Sequence, residues 1–402
     1  MNYNFDELIN RKNTNSIKYD FTAQRGKPEG ILPLWVADMD FRTPPCVVEA
    51  LTDKSRHGIF GYSETGPDYV NILQNWFWHN FEWLIEPDWL VKTPSVVYAI
   101  CTAIRALTTK GDAVLVQQPV YYPFSESILL NDRKLVVNEL LYQDGSYTID
   151  FEDFENTIRE NNVKLFLLCS PHNPVGRVWT KEELMRMGDI CLKLGVTVVS
   201  DEIHADFVYP GYQHFVFAGL KSAFNDITIT CTAPTKTFNL AGLQISNIFI
   251  ANRHIRHEFQ KEISKSGYSQ LNVMGIAACE AAYSKGYEWL AELKNYLMEN
   301  LNFIRSFLKS RLPMIRLVEP EGTYLVWLDC RGLGLNDRQL DDLIVNKAGL
   351  WLDAGTMFGI GGSGFQRINI ACPRSILEKA LHLLEKALHL LEQAAISISN
   401  NN

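Results

Sequence analysis

Nowhere do the 402 residues run to eighteen apolar positions in a row, about what a helix needs to span a bilayer. The opening segment MNYNFDELINRKNTNSIKYD also has no apolar signal core. Both absences argue against membrane spanning and secretion, so a cytoplasmic location is expected. There is no compact basic run, and a formal charge of −8 leaves little basis for an electrostatic grip on nucleic acid. Cysteine is present eight times but always singly, with no CxxC pair. Several sit in apolar runs (FLLCS, AACEAA), so buried reduced thiols are expected, not a disulfide frame or a zinc site. What remains is an ordinary globular composition, long enough for two domains with a pocket between them, and a small molecule as the simplest partner.

From about residue 95 to 290, short β-branched runs alternate with helix-like stretches. AVLVQQP, LFLLCSP, VTVVSDE, ITITCTAP and SNIFIAN are nearly all apolar, as strands covered on both faces must be. This pattern predicts an α/β layer structure with a largely parallel sheet, whose ligands gather at the C-terminal strand ends. Tyr121, Asn173, Asp201 and Lys236 fall at those ends. Beyond residue 290 a helical stretch followed by RLVEPEGTYLVWLDC, GLWLDAGTMFG and FQRINIAC predicts a smaller α+β unit. The first 45 residues read as an arm. In the tail, KALHLLE occurs at 379–385 and again at 386–392, which reads as a last helix lengthened by one duplicated unit.

Each strand-end residue has two readings. Lys236, in APTKTFNLAG, is either a solvated charge beside a turn or a buried amine able to capture a carbonyl as a Schiff base. Asn173, in SPHNPVGRVWTKEEL, either shapes its turn or donates to a ligand oxygen; Thr180 and Glu183 further on form a helix-starting box. Asp201 either caps a helix or pairs with a protonated ring nitrogen.

Taken together, Asn173, Asp201 and Lys236, in that order and 28 and 35 residues apart, resemble the pyridoxal-phosphate (PLP) enzymes of the aspartate aminotransferase fold, fold type I. LPLWVADMDF, SPHNPVGRVWTKEEL, DEIHADF and PTKTFNLAGLQ narrow the resemblance to the C-S lyase branch, the cystathionine β-lyase group. The fold it implies is a large domain with a mostly parallel seven-stranded sheet between helices (residues 47–288), a small α+β domain (289–402) and an N-terminal arm joining it (1–46). The resemblance implies that Lys236 holds PLP as a Schiff base and acts as the catalytic base. Asp201 would pair with the pyridinium nitrogen, and Asn173 would bind the phenolic oxygen with His204 beside it. Tyr121 would lie over the ring and Tyr122 would face the substrate. Ser95, Val96 and Val97, at a helix start, would bind the phosphate with Thr235 and with Tyr62 from a neighbouring subunit, making the active unit a homodimer. Arg367 would clamp the substrate carboxylate, a bidentate task suited to guanidinium. Three positions depart from the wider family: Ala233 and Gln244 stand where a serine and an arginine usually serve the phosphate, and Asn239 where a glycine is common.

The expected reaction is α,β-elimination from L-cystathionine or another S-substituted L-cysteine, giving thiol, pyruvate and ammonia. Transamination would use the same lysine, aspartate and arginine, so the preference for a lyase rests on the branch-like motifs. A regulatory protein acting through a protein partner is the third reading; retention of Lys236, Asp201, Asn173 and Arg367 argues against a dead scaffold.

Overall fold

Alternation within the apolar runs builds the central sheet. The computed structural model describes residues 3–400 and contains eight strands in one sheet: β1 (Leu90–Thr93), β2 (Ala113–Gln118), β3 (Lys134–Gln143), β4 (Ser146–Ile149), β5 (Leu165–Cys169), β6 (Thr197–Asp201), β7 (Thr228–Thr232) and β8 (Ser246–Phe249). Their spatial order is β1-β8-β7-β6-β5-β2-β3-β4. The five strands from β7 to β3 run parallel, while β8 is antiparallel to both its neighbours. The seven strands anticipated are joined by β4. Asp144 and Gly145, both at positive φ, turn the chain back in a two-residue hairpin and add β4 at the edge.

Both faces of the sheet are dry. Leu165, Leu167, Val114, Val116 and Val199 pack under the helices Val96–Leu107, Pro123–Leu130 and Arg253–Lys265. Their neighbours Phe166, Leu168, Leu115 and Val198 pack against Phe151–Glu160 and Lys181–Leu194 on the other side. Burying one such side chain contributes roughly 1.5–3 kcal/mol. Lys181–Leu194 starts with the anticipated box: Thr180 Oγ1 accepts from the Glu183 amide at 3.2 Å, and Glu183 Oε2 accepts from the Thr180 amide at 2.8 Å.

The remaining chain forms a third core with the 25-residue helix Tyr287–Arg311 and the terminal helix Arg374–Asn400. An antiparallel sheet in the order Arg316–Leu317, Leu325–Asp329, Phe365–Asn369, Asp353–Ala354 lies against them. The N-terminal segment is stitched on by a parallel ladder of Leu32–Pro33 with Leu350–Trp351. Both copies of the tail repeat lie in the terminal helix. Ala380 and Leu381 are buried, as are their counterparts Ala387 and Leu388, because seven residues make nearly two full turns. Leu391, the counterpart of buried Leu384, is exposed, so the second copy is leaving the core. All eight cysteines are free, six of them buried. Among the described residues no helix is long and apolar enough to cross a membrane.

Candidate active site

The parallel strands point their C-terminal ends at one cavity of about 260 Å3. Asn173 arrives on the turn after β5, and Asp201 is the last residue of β6 with His204 three residues on. After β7, Ala233 and Pro234 open a single helical turn, Pro234–Thr237, that carries Thr235 and Lys236. Proline suits that position because the first helical amide has no partner to lose. Ser95, Val96 and Val97 come from the start of the helix Val96–Leu107, where Ser95 Oγ accepts from the Tyr98 amide at 3.1 Å. Ser95, Val96, Val97, Asn173, Asp201, His204, Thr235 and Lys236 line the cavity with Tyr121; in the sequence they fall in separate motifs.

The electrostatics of the cavity follow from its dryness. Burial raises Asp201 from the usual carboxylate range to about 7, against the amide of Ile203, which donates to it at 3.1 Å, and the charge of Lys236. Loss of water lowers Lys236, with Arg367 acting in the same direction and Asp38 and Asp201 opposing. Its Nζ donates to the Ala37 carbonyl at 3.3 Å. His204 is pushed down to about 3 by burial and by Lys236 and Arg367, so it is neutral, and its buried Nδ1 has no partner among the described residues. Burial also raises the Tyr121 hydroxyl.

Arg367 and Tyr122 stand just outside this lining. Arg367, fully buried, donates from Nη1 to Asn173 Oδ1 and from Nη2 to the Trp35 carbonyl, each at 2.9 Å. Nη2 also bonds Asp353, directly opposite Arg367 in the antiparallel register, while Nε is buried without a partner among the described residues. Tyr122 lies 5.6 Å from Tyr121 and 6.2 Å from Phe358, measured between ring centres. Tyr62 is not brought to this chain's cavity: it is 98% exposed on an irregular stretch before helix Pro67–Phe81.

Sequence reasoning missed the contacts of the N-terminal segment. The carbonyls of Trp35 and Ala37 hold Arg367 and Lys236, and both residues lie inside the LPLWVADMDF motif, which marks the branch and falls in the anticipated arm. Asn239 explains its own departure from glycine. Its φ is +59°, a conformation asparagine tolerates, and its amide bonds Met39 N at 2.9 Å, Met39 O at 3.1 Å and Phe41 O at 2.9 Å. It thereby pins the segment that carries Ala37. Nothing in the sequence announced Asp353 as the partner of Arg367.

The cavity fits PLP on three counts visible in its own atoms. A helix start with unpaired amides offers an anion site at Val96 and Val97. Among the described residues, the buried carboxyl of Asp201 accepts a single hydrogen bond and forms no ion pair, and His204 Nδ1 has no partner. A lysine whose charge is disfavoured completes the set. Fold and site together define a PLP-dependent enzyme of fold type I.

The family described as Aminotransferase class I and II matches residues 29–384, and the chain belongs to that family. It is 43% identical over 378 residues to cystathionine beta-lyase PatB of Bacillus subtilis (strain 168), covering 94% of this chain and 98% of that protein. To the protein MalY of Escherichia coli (strain K12) it is 33% identical over 381 residues, covering 94% and 97%. Among solved structures, cystalysin from Treponema denticola, which contains a pyridoxal 5'-phosphate cofactor, superposes with a TM-score of 0.94 at 40% identity, covering 97% of this chain and all of that one (100%).

Proposed function

We infer that this protein is a PLP-dependent C-S β-lyase that cleaves L-cystathionine or a related S-substituted L-cysteine to a thiol, pyruvate and ammonia, with consumption of water. The observation that carries the reading is the convergence of Lys236, Asp201 and Asn173 on one dry cavity, with Arg367 bonded to Asn173 at its edge, in a chain whose relatives include a cystathionine beta-lyase. When bound, the cofactor supplies an electron sink conjugated to the substrate Cα.

The protein's own groups do the rest. Val96 and Val97 amides, the Ser95 and Thr235 hydroxyls and Tyr62 from a second copy would hold the phosphate. Asp201 would keep a proton on the ring nitrogen, and Asn173 with His204 would bind the phenolic oxygen. Tyr121 would lie over the ring. Arg367 takes the substrate carboxylate through the donors that Asp353 and its empty Nε leave available. The Lys236 amine, uncharged because it is desolvated, removes the Cα proton. The Cβ–S bond then breaks with its electron pair on sulfur, beside Tyr122. A homodimer would supply the missing Tyr62: Ile59, Phe60 and Tyr62 are all strongly exposed on one irregular stretch, an apolar cluster suited to a second copy.

Lys236→Ala tests the assignment. Loss of turnover together with the imine absorbance band is expected; a fully active variant would sink it.

A further inference from the structure

Two cations of the N-terminal arm have no part in the scheme above. The Arg25 guanidinium lies 5.2 Å from the ring centre of Trp35, and Lys27 Nζ lies 5.9 Å from that of Trp351. The two indoles stack on each other at 4.5 Å with their planes 12° apart. Their stack is fixed by the ladder that pairs Leu32–Pro33 with Leu350–Trp351. Trp35 also accepts the Arg367 bond at its carbonyl. The aromatic platform under Arg25 and Lys27 is therefore the same backbone that holds the carboxylate clamp.

Through Trp35, whose carbonyl accepts from Arg367 Nη2, the Arg25 platform is joined to the carboxylate clamp of the site. Burial raises the Tyr122 hydroxyl, and Arg25 is one of the two cations that pull it back. Lys27 acts in the same sense on Asp353, which burial raises. Asp353 is already paired with Arg367, and Glu126 acts on Tyr122 from its own helix. Neither Arg25 nor Lys27 forms an ion pair among the described residues. A stacked guanidinium without a carboxylate is preorganised and unspent.

In the lyase reading the α-carboxylate lies on Arg367, whose Nη2 is bonded to the Trp35 carbonyl, and the ring of that same Trp35 carries Arg25. We propose that Arg25, with Lys27 beside it, binds a carboxylate carried by the departing thiol, so that the enzyme prefers cysteine conjugates whose sulfur substituent is anionic. The subsite rests on the lyase reading of the central cavity and adds to it a rule for substrate choice.

The test uses PLP-loaded enzyme and three conjugates of similar size: S-(2-carboxyethyl)-, S-propyl- and S-(2-aminoethyl)-L-cysteine, with pyruvate and thiol measured together. The kcat/KM ratio of carboxyethyl to propyl conjugate exceeds one in the native enzyme. It falls about fivefold to tenfold in Arg25→Gln, since a partly exposed charged hydrogen bond is lost, and it narrows in high salt. Arg25→Glu shifts preference toward the aminoethyl conjugate. Ratios that stay within about twofold in both variants overturn the subsite alone. No turnover of any conjugate by the native enzyme overturns the lyase reading and the subsite with it.

Discussion

Asp201→Asn keeps the shape of the side chain and removes one titrating group, so it isolates what burial does to that carboxyl. In the cofactor-free protein the folded chain holds the Asp201 proton up to about pH 7, whereas the ordinary value is 3.8. Below 3.8 both states are protonated and the group contributes nothing. Between the two values the unfolded chain releases a proton that the folded chain retains, so stability falls as pH rises, by about 1.4 kcal/mol per unit. The full penalty is about 4 kcal/mol, with about 3 kcal/mol of it developing between roughly pH 5 and pH 8. At about 2.1 cal/mol/K per residue, over 402 residues, 3 kcal/mol corresponds to about 3 °C in Tm. Thermal melts of cofactor-free native protein and Asp201→Asn across that range should therefore diverge, with the variant gaining about 3 °C on the native chain at the alkaline end. PLP should flatten the native curve, because a protonated ring nitrogen stabilises the carboxylate and removes the penalty. Parallel melting curves in the cofactor-free proteins would refute the reasoning.

Two further substitutions probe the frame of the site. Arg367→Ala should lower kcat/KM about 100-fold, mostly through KM. It should also destabilise the fold by about 3–5 kcal/mol, because Asp353 is left buried without its cation. The double variant Arg367→Ala/Asp353→Asn should regain much of the stability in urea unfolding but none of the affinity; recovery of KM there would count against the clamp. Thr180→Ala removes one half of the capping box and should cost about 1 kcal/mol in the same unfolding measurement, with kcat unaltered because the box lies at the far end of its turn from Asn173.

The parallel sheet and its strand ends were legible because the physics is local. Runs such as LFLLC must be buried on both faces, and that requirement fixes where Asn173, Asp201 and Lys236 emerge. The helix box at Thr180 was legible for the same reason. What escaped depends on chain segments far apart in sequence. Asp353 meets Arg367 only through strand register, and the Ala37 carbonyl reaches Lys236 across about 200 residues, held there by Asn239. The strand β4 had a local signal, Asp-Gly between two alternating runs, that the reading passed over. Tyr62 illustrates a different limit: on its own chain it is an exposed aromatic, and the structure of one chain does not bring it to the cavity.

Elimination separates from transamination most directly in one measurement: PLP-loaded protein is given L-cystathionine with no keto acid present, and pyruvate and free thiol are followed together. Sustained release of both, equal in amount and over many turnovers, is the predicted result. A single conversion of the cofactor to its amine form, with turnover restored only by added keto acid, would contradict the account and make the enzyme an aminotransferase.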